Sequence, residues 1–313
     1  MLPHLVFYLA LVNDVRALIA RHDFAAAERQ ARAYQTQAGS TPELAAAYSW
    51  LARAALDARR LDEAEAYAAE TRKVADPALA SRPLDSDPWL PTAVGAAIEV
   101  HASVLSARGD RAGAVDYLRG QLNAFGSTSI AERIRKNLNL LTIERKTAPA
   151  LEVREWIGSP RPAPLASLKG HPVLLFFWAH WCGDCKGEAP ILAEAQRTFG
   201  SKGLLVVAPT KLYGYAAGGE DAAPAVEKQY IARIRQQYYP MLADTPVPLS
   251  AANFMTYGVS TTPTLVLLDR AGVVRFYHPG AIGKEELFAR IQAVLRLRSS
   301  IRLTRNRSYA SND

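Results

Sequence analysis

Two patterns of apolar positions divide this chain. Up to about residue 147 the apolar residues, mostly alanine and leucine, recur at three- and four-residue spacing, the period of helices with one buried face. That spacing predicts amphipathic helices over 12–34, 42–59, 62–74, 93–107 and 112–125. Turns are expected at Gly39-Ser40-Thr41-Pro42, Asp76-Pro77, 81–91 and Gly109-Asp110. Thr41 supplies a side-chain acceptor for the first free amides of a helix, and Pro42 fits its first position because no donor is needed there. From Thr147-Ala148-Pro149 onward the period shortens. Residues 173–178 and 204–208 are unbroken apolar runs, as strands buried on both faces require. Residues 265–269 and 273–277, separated by Arg270-Ala271-Gly272, predict an antiparallel hairpin, and helices are expected over 185–199, 225–239 and 284–297.

Three stretches in the helical part look alike: His22-Asp23-Phe24-Ala25-Ala26-Ala27, Arg59-Arg60-Leu61-Asp62-Glu63-Ala64 and Gly109-Asp110-Arg111-Ala112-Gly113-Ala114. Each puts a small residue where paired helices must approach closely. Aligned on Ala27, Ala64 and Ala114, they resemble degenerate tetratricopeptide repeats with stretched spacing. An irregular helical bundle is the other reading of the same pattern.

Composition narrows the class. The chain has 313 residues, 49% hydrophobic and 21% charged, enough for two domains with their own cores. No uninterrupted apolar run reaches the roughly 18 residues of a spanning helix, and no membrane tether is evident. Residues 2–12 have the length of a signal core, but lack a basic leader and a small-x-small cleavage site before Asn13-Asp14. They read as the start of the first helix, the alternative being a signal lost upstream. The net charge of +7 is concentrated at the end: residues 296–313 hold five arginines against Asp313, and without them the balance falls to +3. Residues 299–313 therefore read as a flexible basic tail, and nucleic acid is not an expected partner.

Only two cysteines are present, Cys182 and Cys185. A framework of structural disulfides is excluded, and so is a zinc site of paired cysteines, for want of a second pair. No metal and no cofactor is expected. The pair stands where the run 173–178 gives way to a helix. A first sulfur at a helix N-terminus faces unpaired amides and the positive end of the macrodipole, which favour a thiolate. Cys182 is thus the expected nucleophile, and Cys185 the thiol that resolves the mixed disulfide.

The string Phe177-Trp178-Ala179-His180-Trp181-Cys182-Gly183-Asp184-Cys185-Lys186-Gly187-Glu188-Ala189-Pro190, with Thr261-Thr262-Pro263-Thr264 farther on, resembles the thioredoxin superfamily, and within it the TlpA/ResA-like redoxin-type branch. The resemblance covers about 145 residues. It implies a thioredoxin fold over 148–298, with a central mixed sheet flanked by helices; together with the all-α, tetratricopeptide-like domain read over 1–147, this makes a two-domain α+β chain. It also implies that Pro263 is cis and lies against the redox pair, that the Thr262 backbone meets an incoming peptide, and that Trp181 shields the disulfide on the substrate side. Many thioredoxins carry a buried acid where this chain has Phe176, and Glu188, one turn after Cys185, is the candidate replacement as proton acceptor. Asp184 beside Cys185 disfavours a thiolate and points to a reducing poise. His180 is either a gate near the redox centre or a surface loop residue. The tyrosines at 213, 215, 230, 238 and 239 either shape a substrate groove or are packing residues.

The function expected is thiol–disulfide exchange with protein substrates, in the reductase direction, fed by an electron-donor redox protein and with the helical domain docking partners. The resemblance implies a location outside the cytoplasm, in the periplasm. A thiol peroxidase would need a hydroxyl where Ala179 stands and a proline at Leu175. A third possibility is an interaction scaffold with a vestigial redox domain, which the intact cysteine pair opposes.

Overall fold

The computed structural model describes residues 11–297. Most of the apolar segment 2–12 and all of the basic tail 299–313 lie outside those residues. The chain forms two compact units, and the boundary is not a single cut. The first unit runs up to Glu144 and takes in Ala251–Thr261; the second comprises Arg145–Ser250 and the chain from Thr262 onward. Residues 251–261, within the range 148–298 expected for the thioredoxin-like domain, cluster by contacts with the helical unit.

In the first unit three helix pairs follow one another: α1 (Leu11–Ala20) with α2 (Phe24–Ala38), α3 (Pro42–Asp57) with α4 (Leu61–Ser81), and α5 (Leu90–Ala107) with α6 (Arg111–Phe125). The expected single helix over 12–34 is broken, because His22 adopts a left-handed backbone. Arg59 and Gly109 do the same in the second and third pairs. In each turn the next amide reaches back five residues, Asp23 to Leu18, Arg60 to Ala55 and Asp110 to Leu105. This is one helix-terminating motif used three times. Asp23 and Asp110 then cap the following helices by accepting the Ala26 and Gly113 amides. Ala27, Ala64 and Ala114 are all buried, which is where the repeated motif needs small side chains.

The turn expected at Asp76-Pro77 does not form. α4 continues through Pro77 to Ser81. An interior proline costs roughly 3 kcal/mol, but Val74 and Ala75 are buried and Ala78 and Leu79 pack on the same core, so stopping the helix would expose that face. α5 has the length and composition of a membrane-spanning helix, yet Leu90, Val94, Ile98 and Val104 are core residues of this unit. α7 (Ala131–Thr142) closes the set and packs against α10 (Ala251–Tyr257). There Asn139 Nδ2 donates to the Thr256 carbonyl at 3.3 Å.

The second unit is built on a four-stranded sheet in the order β3-β2-β5-β6. β2 (Val173–Phe177) pairs parallel with β3 (Leu205–Val207) and antiparallel with β5 (Thr264–Leu268), which pairs antiparallel with β6 (Val274–Pro279). All five residues of β2 and of β5 are buried, as their unbroken apolar runs require. A two-stranded piece, β1 (Trp156–Ile157) with β4 (Val247–Pro248), stands apart from that sheet. α8 (Gly183–Phe199), α9 (Pro224–Tyr238) and α11 (Lys284–Arg296) bring Leu192, Phe199, Ile231 and Ile291 into one core with Phe176, Trp178 and Leu267.

Candidate active site

At the end of β2 Trp178 is held by carbonyls and one hydroxyl of the segment after β3. The Trp178 indole donates to the Ala208 carbonyl at 3.0 Å, and the Thr210 hydroxyl donates to the Trp178 carbonyl at 2.8 Å. Thr210 is itself fixed to β4, its amide donating to the Pro248 carbonyl at 2.9 Å. The loop that follows, 179–182, therefore starts from a rigid platform and delivers Cys182 as the N-cap of α8.

Cys182 and Cys185 are joined as a disulfide. The Cys185 amide donates to Cys182 Sγ at 3.0 Å, so the helix end already offers the first sulfur a hydrogen bond. Cys185 is sealed from solvent, while Cys182 keeps a small accessible area. The Cys182 sulfur also lies 3.4 Å from the Thr262 carbonyl oxygen, a contact that becomes a hydrogen bond when the sulfur carries a proton. The Thr262–Pro263 bond is cis, and the Gly280 amide fixes the Pro263 carbonyl at 2.8 Å. The loop before α8 and the loop before β5 thus meet at the first sulfur. Trp181, the residue before it, is 49% exposed.

Glu188 sits on the same side of α8, one turn past Cys185, and is buried. One of its carboxylate oxygens accepts the Ile282 amide at 2.5 Å, and the other has no partner. Burial pushes its carboxyl above the ordinary range and Asp184 pushes the same way, while the Ile282 amide and His278 pull it down. The sign of the consequence is definite. A folded-state pKa above the unfolded value favours folding at low pH, and that advantage is lost as pH rises through the raised value. Glu188→Gln, which keeps the shape of the protonated form, should match the native chain in urea unfolding where the carboxyl is protonated in both states, and gain on it as pH rises from the unfolded to the raised folded value, the gap staying constant above that. A native chain that gained on the variant over that interval would contradict a raised pKa.

A model of the redoxin family ("Redoxin") matches residues 144–295. Thioredoxin-like protein YneN of Bacillus subtilis (strain 168) is 31% identical over 144 residues, 46% of this chain and 76% of its own length. The chain belongs to the redoxin family. Thiol-disulfide oxidoreductase ResA of Bacillus cereus is 30% identical over 149 residues, 48% of this chain and 77% of its own. Thiol:disulfide interchange protein DsbE of Xylella fastidiosa (strain 9a5c) is 28% identical over 128 residues, 41% and 57% of the two lengths. The redoxin half is a thioredoxin-fold thiol–disulfide oxidoreductase with Cys182 and Cys185 as its redox pair.

His180 in this redoxin is no surface residue, and its surroundings were not legible in the sequence. It is 1% exposed, and its Nε2 lies 3.2 Å from Glu227 Oε1. The rings of Tyr213, Tyr215 and Tyr230 stand edge-on to it at 5.3–5.6 Å. Its Nδ1 is buried without a partner. Burial lowers its pKa, Lys186 adds to that, and Glu227 opposes both. Glu227, fully buried in the first turn of α9, also accepts the Tyr213 amide at 2.6 Å and the Gly214 amide at 2.9 Å. Nothing near Glu227 in sequence marks it out, since its three partners are 13 to 47 residues away.

Proposed function

We propose that this redoxin transfers electrons to protein disulfides, with Cys182 attacking and Cys185 resolving. The observation that carries the reading is the placement of Cys182 as the N-cap of α8, its sulfur accepting the Cys185 amide and touching the Thr262 carbonyl. Trp181, Thr262 and Pro263 form the face on which an extended substrate segment lies. Glu188 takes the Cys185 proton during resolution, a role its burial and unpartnered oxygen support. The reaction consumes the two electrons of the dithiol, so a donor redox protein must restore it.

The reducing direction rests on Asp184, whose negative charge inside the motif disfavours the thiolate and so stabilises the disulfide form. Equilibration with defined thiol buffers should give a potential near the value of about −270 mV typical of thioredoxin rather than about −120 mV, typical of a strong oxidant. A value above about −180 mV would reverse the direction of transfer.

The helical unit is the docking module in this reading, with its range taken as 1–147 on the sequence pattern. The resemblance to a branch that works mostly outside the bacterial cytoplasm supports an extracytoplasmic location. The presence of both cysteines in the one motif suits an oxidising compartment.

A further inference from the structure

The segment between β3 and α9 carries two tyrosines, Tyr213 and Tyr215, and one buried carboxylate holds it. Glu227 accepts two backbone amides of that segment and faces His180 of the active-site loop. Removing it would leave two amides without an acceptor and free the segment from the loop that delivers Cys182. The ring of Tyr213, held at that point, stands edge-on to Trp181 at 5.5 Å, and Tyr215 stands 6.2 Å from Tyr213. Trp181 is half exposed and adjoins Cys182, and Tyr213 and Tyr215 are half-buried, so these rings lie beside the approach to the sulfur.

We propose that Glu227 and His180 are positioning residues that hold Tyr213 and Tyr215 beside Trp181 as an aromatic wall, which selects substrates carrying an aromatic residue next to the reacting cysteine. The occupant is an extended segment of a protein substrate, because the wall is continuous with the disulfide it must reach. Edge-to-face pairing adds to the area such a side chain buries, and would favour it over a small polar one by about three- to tenfold. This inference rests on the exchange reaction proposed above.

The test uses two disulfide-bonded peptides differing only in Phe or Ser beside the cysteine, turned over by the full chain and by the Glu227→Gln and Tyr213→Ser variants. In the native chain kcat/KM should favour the Phe peptide by that factor. In both variants the ratio should fall towards one, with the loss carried by KM. The Tyr213→Ser variant keeps the buried carboxylate, so it reads the wall even where Glu227→Gln fails to fold. A native ratio of one, or a ratio unchanged in Tyr213→Ser, overturns the inference. Failure of the native chain to turn over either peptide overturns the exchange reading instead.

Discussion

Cys185→Ala is expected to trap substrates as mixed disulfides, while Cys182→Ala captures none and exchanges none. The asymmetry follows from the helix end. Cys182 has the amide of Cys185 pointing at its sulfur and a small opening to solvent; Cys185 has neither. A thiolate at Cys182 attacks a substrate disulfide, forming one S–S bond and releasing one substrate thiolate. Cys185 then attacks the Cys182 sulfur, releasing the second thiolate and closing the internal disulfide. With Cys185 removed, an external thiol must do that second step. An intramolecular partner in good geometry acts at an effective concentration far above millimolar, so resolution should slow by about 10³-fold or more. Non-reducing gels and mass spectrometry of captured partners read the outcome. Equal capture by both variants would sink the assignment of Cys182 as nucleophile.

The largest stability effect away from the cysteines is expected at Gly258. Its φ is +64°, in the left-handed region, and a Cβ there would lie 2.3 Å from the Lys136 backbone nitrogen on α7. Gly258→Ala must therefore both strain the backbone, at roughly 1–2 kcal/mol, and push α10 from α7, at about 1–3 kcal/mol for an overpacked contact. A loss of about 2–5 kcal/mol in the stability of the helical unit is expected from urea unfolding. A variant within about 0.5 kcal/mol of the native chain would show that α10 does not seat on α7.

How much of this was readable beforehand differs by element. The redox pair, its place at a strand-to-helix junction and the apolar strands were legible, because each is a local pattern. The helix pairs were legible from their repeated turns, although α1 and α2 merged into one expected helix for lack of a glycine at His22. Pro77 misled in the other direction, since a local breaker was overridden by the buried face of α4. α7 and α10 were missed: their value lies in each other, across more than a hundred residues of chain.

The sequence by itself determined the chemistry: two cysteines and no others, a helix N-terminus facing the first, and no acid at Phe176. Only the tertiary structure decided what surrounds that chemistry. It closed the Thr262 carbonyl onto the Cys182 sulfur, buried Glu188 against the Ile282 amide, gathered Glu227 and three tyrosines around His180, and set one of them, Tyr213, edge-on to Trp181. The reason is the range of the forces involved. Helix and strand preferences act over a few residues, whereas a buried carboxylate is satisfied by whichever donors the fold brings within about 3 Å.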